Sequence, residues 1–578
     1  MSRIGVFICY CGLKVGGAID RDGLVQAVRE WPDVGHASIC EDMCLDPGFA
    51  GLRRIVAAEK IDAAVVTTCT SATHAAAIRA ALTLEGLEPH RVRIVDLETH
   101  LSWPPRANLE ATRGGIIEAI RRTVDALRTA TPGTRTATPI TKRALVIGGG
   151  IAGIQTSLDI ADAGYEVLLV EITSSIGGHM LQYAEVFPTL DCPQCIGTPK
   201  MVEVGQHAKI KILACSEVES VSGSVGDFTV KIRRKATYVD WEKCNGCGIC
   251  QQKCLTPVPS EYNRRLPFSQ TKAISTPFAQ AVPNKPVINR DVCGHFTTEL
   301  CQVCAKICPL GAINFDQQDT LLEEKVGAIV VAAGFDLMPK SRIGEFAQDK
   351  DIVDGIDFER ILCPSGPTAG VVRRPSDGRE PREVVFVSCA GSRDPELGVP
   401  YCSRVCCMYL AKQALLYKHV VHDGQAYLFY MDQRTTGKGY EEFVKRAVEE
   451  YGVVYLRGRV SKIFRDGDQL RVQGVDTLSG AKVEIPCDLV VLGMAMIPSE
   501  EAKGLARKLG IATNEHGFIA EAHPKLRPLE TTAPGIFVAG TAQGPRDIPD
   551  SVAMGSGAAS MVLELFSKNQ IDPDLEAA

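Results

Sequence analysis

The residues best suited to chemistry are cysteines, of which the chain has 22, most in spaced groups. Cys244, Cys247, Cys250 and Cys254 form a C-x2-C-x2-C-x3-C run in WEKCNGCGICQQKC, and Cys293 is followed by Cys301, Cys304 and Cys308 in CQVCAKICP. Two runs of this kind suit a pair of cubanes, because a two-cluster bacterial ferredoxin takes three ligands from one run and the fourth from the other. That crossing assigns Cys244, Cys247, Cys250 and Cys308 to one 4Fe-4S cluster, and Cys293, Cys301, Cys304 and Cys254 to a second. Two features depart from the usual pattern: Leu255 stands where proline commonly follows the fourth cysteine, and the interval from Cys293 to Cys301 is stretched. Paired CxxC units also suit tetrahedral zinc, but a zinc ribbon has no need of three cysteines at x2 spacing.

A further group lies where a nucleotide turn is expected. EVVFVSCAGSRD reads as a strand running into a turn, yet it has only Gly391 and then an insertion before the next helix. The phosphate cradle is missing. Cys389 falls at the strand end, Cys402 at the expected helix start, and Cys406 and Cys407 in its first turns. At i, i+4, Cys402 and Cys406 share a helix face, and the helix N-terminus favours thiolate. These four cysteines are expected to ligate a cluster. Buried structural cysteines, or a redox disulfide between the adjacent pair, are the other readings.

Residues 144–171, ALVIGGGIAGIQTSLDIADAGYEVLLVE, place Gly148, Gly150 and Gly153 in a GxGxxG turn between a strand and a helix, with Glu171 ending the next strand. The glycines permit a tight turn, a close pyrophosphate and tight helix packing, and the acidic residue accepts from a ribose hydroxyl. GAIVVAAGFD, with Gly334, and TTAPGIFVAGTAQG, with Gly540, resemble the distal motifs of two-dinucleotide-binding-domain flavoproteins of the thioredoxin reductase type. FAD is the dinucleotide this implies. Thr541 stands where that family usually has aspartate, and Asp547 or Asp550 would have to compensate. Gly178 and His179 in SIGGHM are expected near the pyrophosphate, with a plain loop histidine as the alternative.

The elements that must position these groups divide the chain into modules. Residues 1–127 read as an α/β iron-sulfur domain and the Thr- and Pro-rich 128–143 as a linker. Residues 144–237, 317–371 and 496–578 are the three parts of an FAD-binding domain. Residues 238–316 are an inserted 2x4Fe-4S ferredoxin domain, and 372–495 a degenerate nucleotide-binding-like subdomain carrying a cluster. The expected fold class is therefore α/β. Hydrophobic residues make up 45%, charged residues 23%, and the net charge is -6. That balance fits a soluble α/β protein and argues against a nucleic-acid partner. No apolar run approaches the ~18 residues of a membrane span, no signal peptide is evident, and cysteine-rich metal binding fits a reducing compartment, so a cytoplasmic location is expected.

CYCG and CT near the N-terminus, GGGIAGIQ, FPTLDCPQCIGTPKM, the inserted ferredoxin, and CAGSRD followed by YCSRVCCMYLAKQA together resemble the A-type subunit of heterodisulfide reductase over nearly the whole chain. The resemblance implies a thioredoxin-reductase-like FAD domain, a cluster near the flavin, and a homodimeric core of a larger complex with B- and C-like subunits, ferredoxin and an electron-input subunit. It also implies an N-terminal cluster on Cys9, Cys11, Cys44 and Cys69, with Cys40 as a spare thiol that could replace one, making about four 4Fe-4S clusters per chain. Lys412 would then act as a catalytic cation near flavin N5, stabilising reduced anionic states, against a solvated helix lysine. Cys192 and Cys195 could complete a cluster across a subunit contact, form a redox pair, or pack. Cys215, Cys363 and Cys487 read as core residues.

The implied function is splitting of electron pairs between low-potential ferredoxin and a higher-potential acceptor, or the reverse. Longer family members carry a further ferredoxin module, so the low-potential exit is expected on another subunit or at the inserted ferredoxin. A non-bifurcating subunit of a quinone-linked or aromatic-ring-reducing complex, an NAD(P)H-dependent iron-sulfur flavoenzyme and a cluster-bearing scaffold are the alternatives. The missing second glycine cradle weighs against the nicotinamide reading, and the uninterrupted flavin motifs weigh against the scaffold.

Overall fold

Long apolar runs flanked by glycine turns build three sheets, two of them parallel and one parallel except for two antiparallel strands at one edge. The computed structural model describes residues 3–10, 21–41, 43, 46–68, 78–79, 81–97, 109–128, 138–347 and 349–571. The first sheet, with Ile4–Tyr10 at its centre, is flanked by Val34–Glu41 on one side and by Ala63–Thr68 and then Val92–Asp96 on the other, all parallel. Its two faces carry separate buried clusters, one around Ile4, Val6 and Ile8 and one around Phe7, Cys9 and Cys40.

The second sheet has seven strands. At its centre Ala328–Val331 and Arg143–Ile147 pair in parallel, followed outward by Glu166–Val170 and Ile210–Leu213, with Ile536–Val538 on the other side. Val330 and Val331 are wholly buried, as are Leu145 and Val146, as a parallel sheet covered on both faces requires. Helix α1 (Ile151–Asp162) connects two of its strands. Helix α2 (Pro193–Gln206) precedes the outer strand Ile210–Leu213.

The third sheet, of five parallel strands, runs Ile352–Asp354, Leu489–Met494, Glu383–Ala390, Gln425–Tyr430 and Val454–Arg457. Helix α3 (Gly355–Leu362) follows the first of these and begins in a capping box between Asp354 and Asp357. Helix α4 (Cys406–Val420) links Glu383–Ala390 to Gln425–Tyr430 and is buried along most of its length. Helix α5 (Ile548–Ser567) returns to pack on α1, where the Thr156 hydroxyl donates to the Gly555 carbonyl at 3.0 Å.

Residues 235–319 form an insert between Asp227–Arg234 and Thr320–Val326, two antiparallel strands in which Arg234 pairs with Thr320. The ends of the insert are thus side by side, which lets a second small core form without disturbing the first. That core gathers Val239, Ala273, Ile274, Ile288, Cys293, Cys304 and Ala312. Among the described residues no helix is long and apolar enough to cross a membrane.

Candidate functional site

The strand Arg143–Ile147 ends at a glycine turn that forms the floor of a cavity of about 800 Å³. Gly148 sits at φ +106, where a Cβ would stand 2.2 Å from the Ala332 carbonyl oxygen, and a Cβ on Gly153 would stand 1.9 Å from the Gly148 oxygen. Neither position admits a side chain. Helix α1 starts at Gly150 without a side-chain cap, so its first-turn N–H groups are left for an anion. Gly148, Gly150, Gly178 and Gly334 line the cavity. Gly153 and Gly540 lie behind its wall; Gly540, at φ +66, presses close to Ala152.

Glu171 lines the same cavity and holds the turn in place. Its Oε2 accepts the Gly149 N–H at 2.7 Å, and its Oε1 accepts the Thr173 N–H and hydroxyl, each at 2.8 Å. A carboxylate has about four lone-pair sites, so about one remains for a ribose hydroxyl. Burial pushes its carboxyl up, against the hydrogen bonds that hold it down. His179 lines the wall with its ring 4.6 Å from Phe335. Burial, helped by the Arg264 charge, pushes it down to about 4, so the ring is neutral near neutral pH.

At the other end the wall is made by α3 and α4. Val405, Tyr409 and Gln413, spaced four apart, present one face to the cavity. Glu359 on α3 also lines it. Its Oε2 accepts the Ala184 N–H at 2.9 Å, and its Oε1 takes Gln413 Nε2 at 2.6 Å and Lys412 Nζ. Lys412 donates in addition to the Glu185 carbonyl at 2.7 Å. The expectation of a cation facing the flavin is corrected here: Lys412 is not on the cavity wall, and its charge is paired with Glu359, which is. Gln413 Oε1 is buried without a hydrogen-bond partner among the described residues, an acceptor of the kind an isoalloxazine N–H satisfies. Asp547 lines the cavity beside Thr541, caps α5 by accepting the Asp550 N–H at 2.9 Å, and accepts the Tyr440 hydroxyl at 2.7 Å. Asp550 pairs instead with Arg404, so of the two only Asp547 lies on the cavity wall.

Glycine cradle, anchoring glutamate and orphan acceptor together fit FAD. Sequence patterns alone missed Tyr409, Gln413 and Glu359. The four-residue spacing on α4 was the available signal, but only the fold shows which face meets the cavity.

The thiols of the third sheet meet at the start of α4. Cys389 is at φ +59, in an irregularity of strand register between Val387 and Ala390. Such a bulge re-aims a side chain at roughly 1–2 kcal/mol of backbone strain. Cys389, Cys406 and Cys407 pack into one buried group. The expected helix start needs correction: α4 begins at Cys406, and Cys402 lies in the preceding turn. Arg404 at φ +63 breaks the helix before that point, and the Ser403 hydroxyl, accepting the Met496 N–H at 2.8 Å, anchors the turn. Cys402 nonetheless stays within the field of Cys389 and Cys407, which adds to burial in pushing its thiol up. Hydrogen bonds to both neighbours, with burial, push the Cys406 thiol up, while the same bonds hold Cys389 down and bring Cys407 to about 7. Arg393 and Arg434, both bonded to Asp432, add positive charge beside these thiols. Tyr409 joins the two regions, since its ring packs on this thiol group and also lines the cavity.

In the insert, Cys244, Cys247, Cys250 and Cys308 bound one small cavity together with Val239, Ala312 and Ile313. Cysteines from two distant runs thus line one space, the crossed arrangement of a two-cluster ferredoxin. Cys304 is pushed up to about 12 by burial, with Cys293 adding to it, and Cys301 lies within the same field. Cys254 packs on the same core. All eight donors are thiols, which suits iron-sulfur clusters. Among the described residues no three His, Cys, Asp or Glu side chains are gathered as for a single metal ion.

Of the expected N-terminal set, Cys11, Cys44 and Cys69 lie outside the described residues. Cys9 is buried, and its strand partner across the sheet is Cys40, which is buried as well. Cys192 and Cys195, left open by the sequence, are joined in a disulfide.

Residues 401–556 match the family described as pyridine nucleotide-disulphide oxidoreductase, and residues 146–199 the NAD(P)-binding Rossmann-like domain. The A-type subunit of the H(2):CoB-CoM heterodisulfide,ferredoxin reductase of Methanothermobacter marburgensis is 39% identical over 99% of this chain and 86% of its own. The A-type iron-sulfur subunit of the CoB--CoM heterodisulfide reductase of Methanocaldococcus jannaschii is 40% identical over 97% of this chain and 85% of its own. Among solved structures, T. acidophilum thioredoxin reductase aligns at 14% identity and a TM-score of 0.42, covering 74% of this chain and 99% of that one. The chain is an oxidoreductase and belongs to the family of heterodisulfide reductase A-type subunits.

Proposed function

We propose that this chain is the FAD- and iron-sulfur-bearing electron-transfer subunit of a cytoplasmic heterodisulfide-reductase-like complex, splitting electron pairs between low-potential ferredoxin and a higher-potential acceptor, or running the reverse. The observation that carries this reading is Tyr409, whose ring stands between the dinucleotide cavity and the thiols of Cys389, Cys406 and Cys407. A bound FAD supplies two-electron acceptance with single-electron release, and 4Fe-4S clusters supply one-electron relay.

The protein's own residues bind and orient. The glycine turn and the N-terminus of α1 take the pyrophosphate, and Glu171 takes the ribose while holding the turn. Gln413, Asp547 and neutral His179 border the space for the rest of the cofactor. Lys412 acts through Glu359 and Gln413 as a positioning residue. Cys389, Cys402, Cys406 and Cys407 hold the cluster nearest this space. The two crossed cysteine sets of the insert hold two more, and the N-terminal set including Cys9 holds a fourth.

The clusters held by the insert, where Cys247 is exposed, would supply the low-potential exit toward ferredoxin. Relatives carry hydrogen, the CoB-CoM heterodisulfide and ferredoxin in their names, which supports ferredoxin as a partner and the chain as one subunit of a larger complex; the homodimeric core, the B- and C-like subunits and the electron-input subunit are what the family resemblance implies. A hydride-fed role is disfavoured because the third sheet offers re-aimed thiols where a phosphate cradle would stand.

The test is anaerobic purification of the intact complex, with ferredoxin reduction measured with and without the high-potential acceptor. Dependence on that acceptor supports the proposal. Equal rates without it exclude obligate pair splitting.

A further inference from the structure

Among the described residues one disulfide is present, between Cys192 and Cys195 of the CPQC motif, with Cα atoms 5.2 Å apart. The cysteines of the α4 group and of the insert carry no such bond. Cys192 is the N-cap of α2, a 14-residue helix with proline in its first turn. Its Sγ accepts the Cys195 N–H at 3.2 Å. Cys195 and the following Ile196 are exposed, whereas Cys192 is half-buried. The two cysteines therefore differ in kind: Cys195 is an exposed residue, while Cys192 caps a helix N-terminus that stabilises negative charge.

The motif is held firmly at the rim of the cofactor cavity. Phe187, on the cavity wall, lies in a short loop closed by the Leu190 N–H to the Val186 carbonyl at 2.8 Å and the Val186 N–H to the Asp191 carbonyl at 2.9 Å, and Cys192 follows directly. Gln194, between the cysteines, donates to the Ser365 hydroxyl at 2.9 Å and the Tyr262 hydroxyl at 3.4 Å. Tyr262 also lines the cavity.

We propose that Cys192 and Cys195 form a thiol–disulfide exchange site whose reductant is a dithiol, small or carried by a protein. The incoming thiolate attacks Sγ of the exposed Cys195. The S–S bond breaks, Cys192 leaves as a thiolate beside the Cys195 N–H, and a mixed disulfide remains on Cys195. A thiol whose conjugate base is stabilised leaves faster, so the asymmetry of the motif sets this direction. The second thiol of the reductant, deprotonated, then attacks the reductant's own sulfur in the mixed disulfide and releases Cys195 as a thiolate. The reductant ends as a disulfide, having given up two electrons and two protons, and the chain ends with two cysteine thiols. None of these steps requires the flavin or a cluster.

The experiment uses the anaerobically purified full chain with its cofactors, with dithiothreitol as the dithiol and mass mapping of alkylated cysteines. Reduction of the Cys192–Cys195 bond in the folded protein is expected. In a Cys195→Ser variant, alkylation of Cys192 is expected to reach half its maximal rate about one pH unit or more below the usual thiol value of about 8.5. Iron content is expected to match the parent in Cys192→Ser and Cys195→Ser. A bond that dithiothreitol reduces only after denaturation, or a Cys192 midpoint at or above about 8.5, overturns the proposal. Loss of about four irons from either variant overturns it too, by showing that these sulfurs ligate a cluster. Each readout is independent of ferredoxin reduction, so failure here is distinct from failure of the electron-splitting reading.

Discussion

Lys412 and Glu359 meet in an ion pair whose side chains are only 1% and 2% exposed, Glu359 on the wall of the cofactor cavity and Lys412 behind it. A pair this deep contributes little net stability but is costly to break from one side. Lys412→Met leaves the Glu359 carboxylate buried without its partner, and a loss of about 3–5 kcal/mol is expected. Adding Glu359→Gln should recover more than half of that loss. The denaturant midpoints of the two variants check this, and a wild-type midpoint for Lys412→Met would contradict it.

Replacing Glu171 by glutamine puts an amide where Gly149 and Thr173 both need an acceptor. Hydrogen bonds to a charged group contribute roughly 1.5–3 kcal/mol each, so FAD retention is expected to weaken about tenfold or more. The ratio of flavin to protein after extended dialysis measures it. Unchanged retention would mean that Glu171 does not organise the turn.

The thiol group at α4 is tested by counting iron. Four cubanes correspond to about sixteen irons per chain. Cys402→Ser, in the turn and only half-buried, is expected to lose about four of them while keeping its flavin. Cys406→Ala should do the same, but its complete burial makes it the harsher variant. A full iron complement in Cys402→Ser, with a parent-like visible spectrum, would remove this site.

His179 carries a pH dependence of known sign. Its folded value is pushed down from 6.5 to about 4, so between those values the unfolded chain binds more protons than the folded one. Its contribution is fully present above about pH 6.5 and is lost as pH falls toward about 4. His179→Asn should flatten the stability difference between about pH 7 and about pH 5. Parallel curves for parent and variant would show that the ring titrates normally.

What could be read in advance follows the range of the interaction. The glycine turn, the crossed ferredoxin runs and the continuous apolar strands are local patterns, because a tight turn, a cubane edge and a strand covered on both faces each impose residue types over short spacings. The start of α4 was misplaced because Arg404 adopts φ +63, which composition does not reveal. Lys412 was misread for another reason: on a helix buried along its length, the identity of a cation's partner depends on α3, some fifty residues earlier in the chain.

The sequence by itself determined the family and the broad cofactor classes, since metal and dinucleotide chemistry constrain spacing directly. Only the tertiary structure decided that α4 serves the cavity and the thiol group together through Tyr409, that Asp547 rather than Asp550 stands at the cavity, and that Cys192 and Cys195 share a bond. Those facts depend on which faces of separate elements meet, and long-range packing alone sets that.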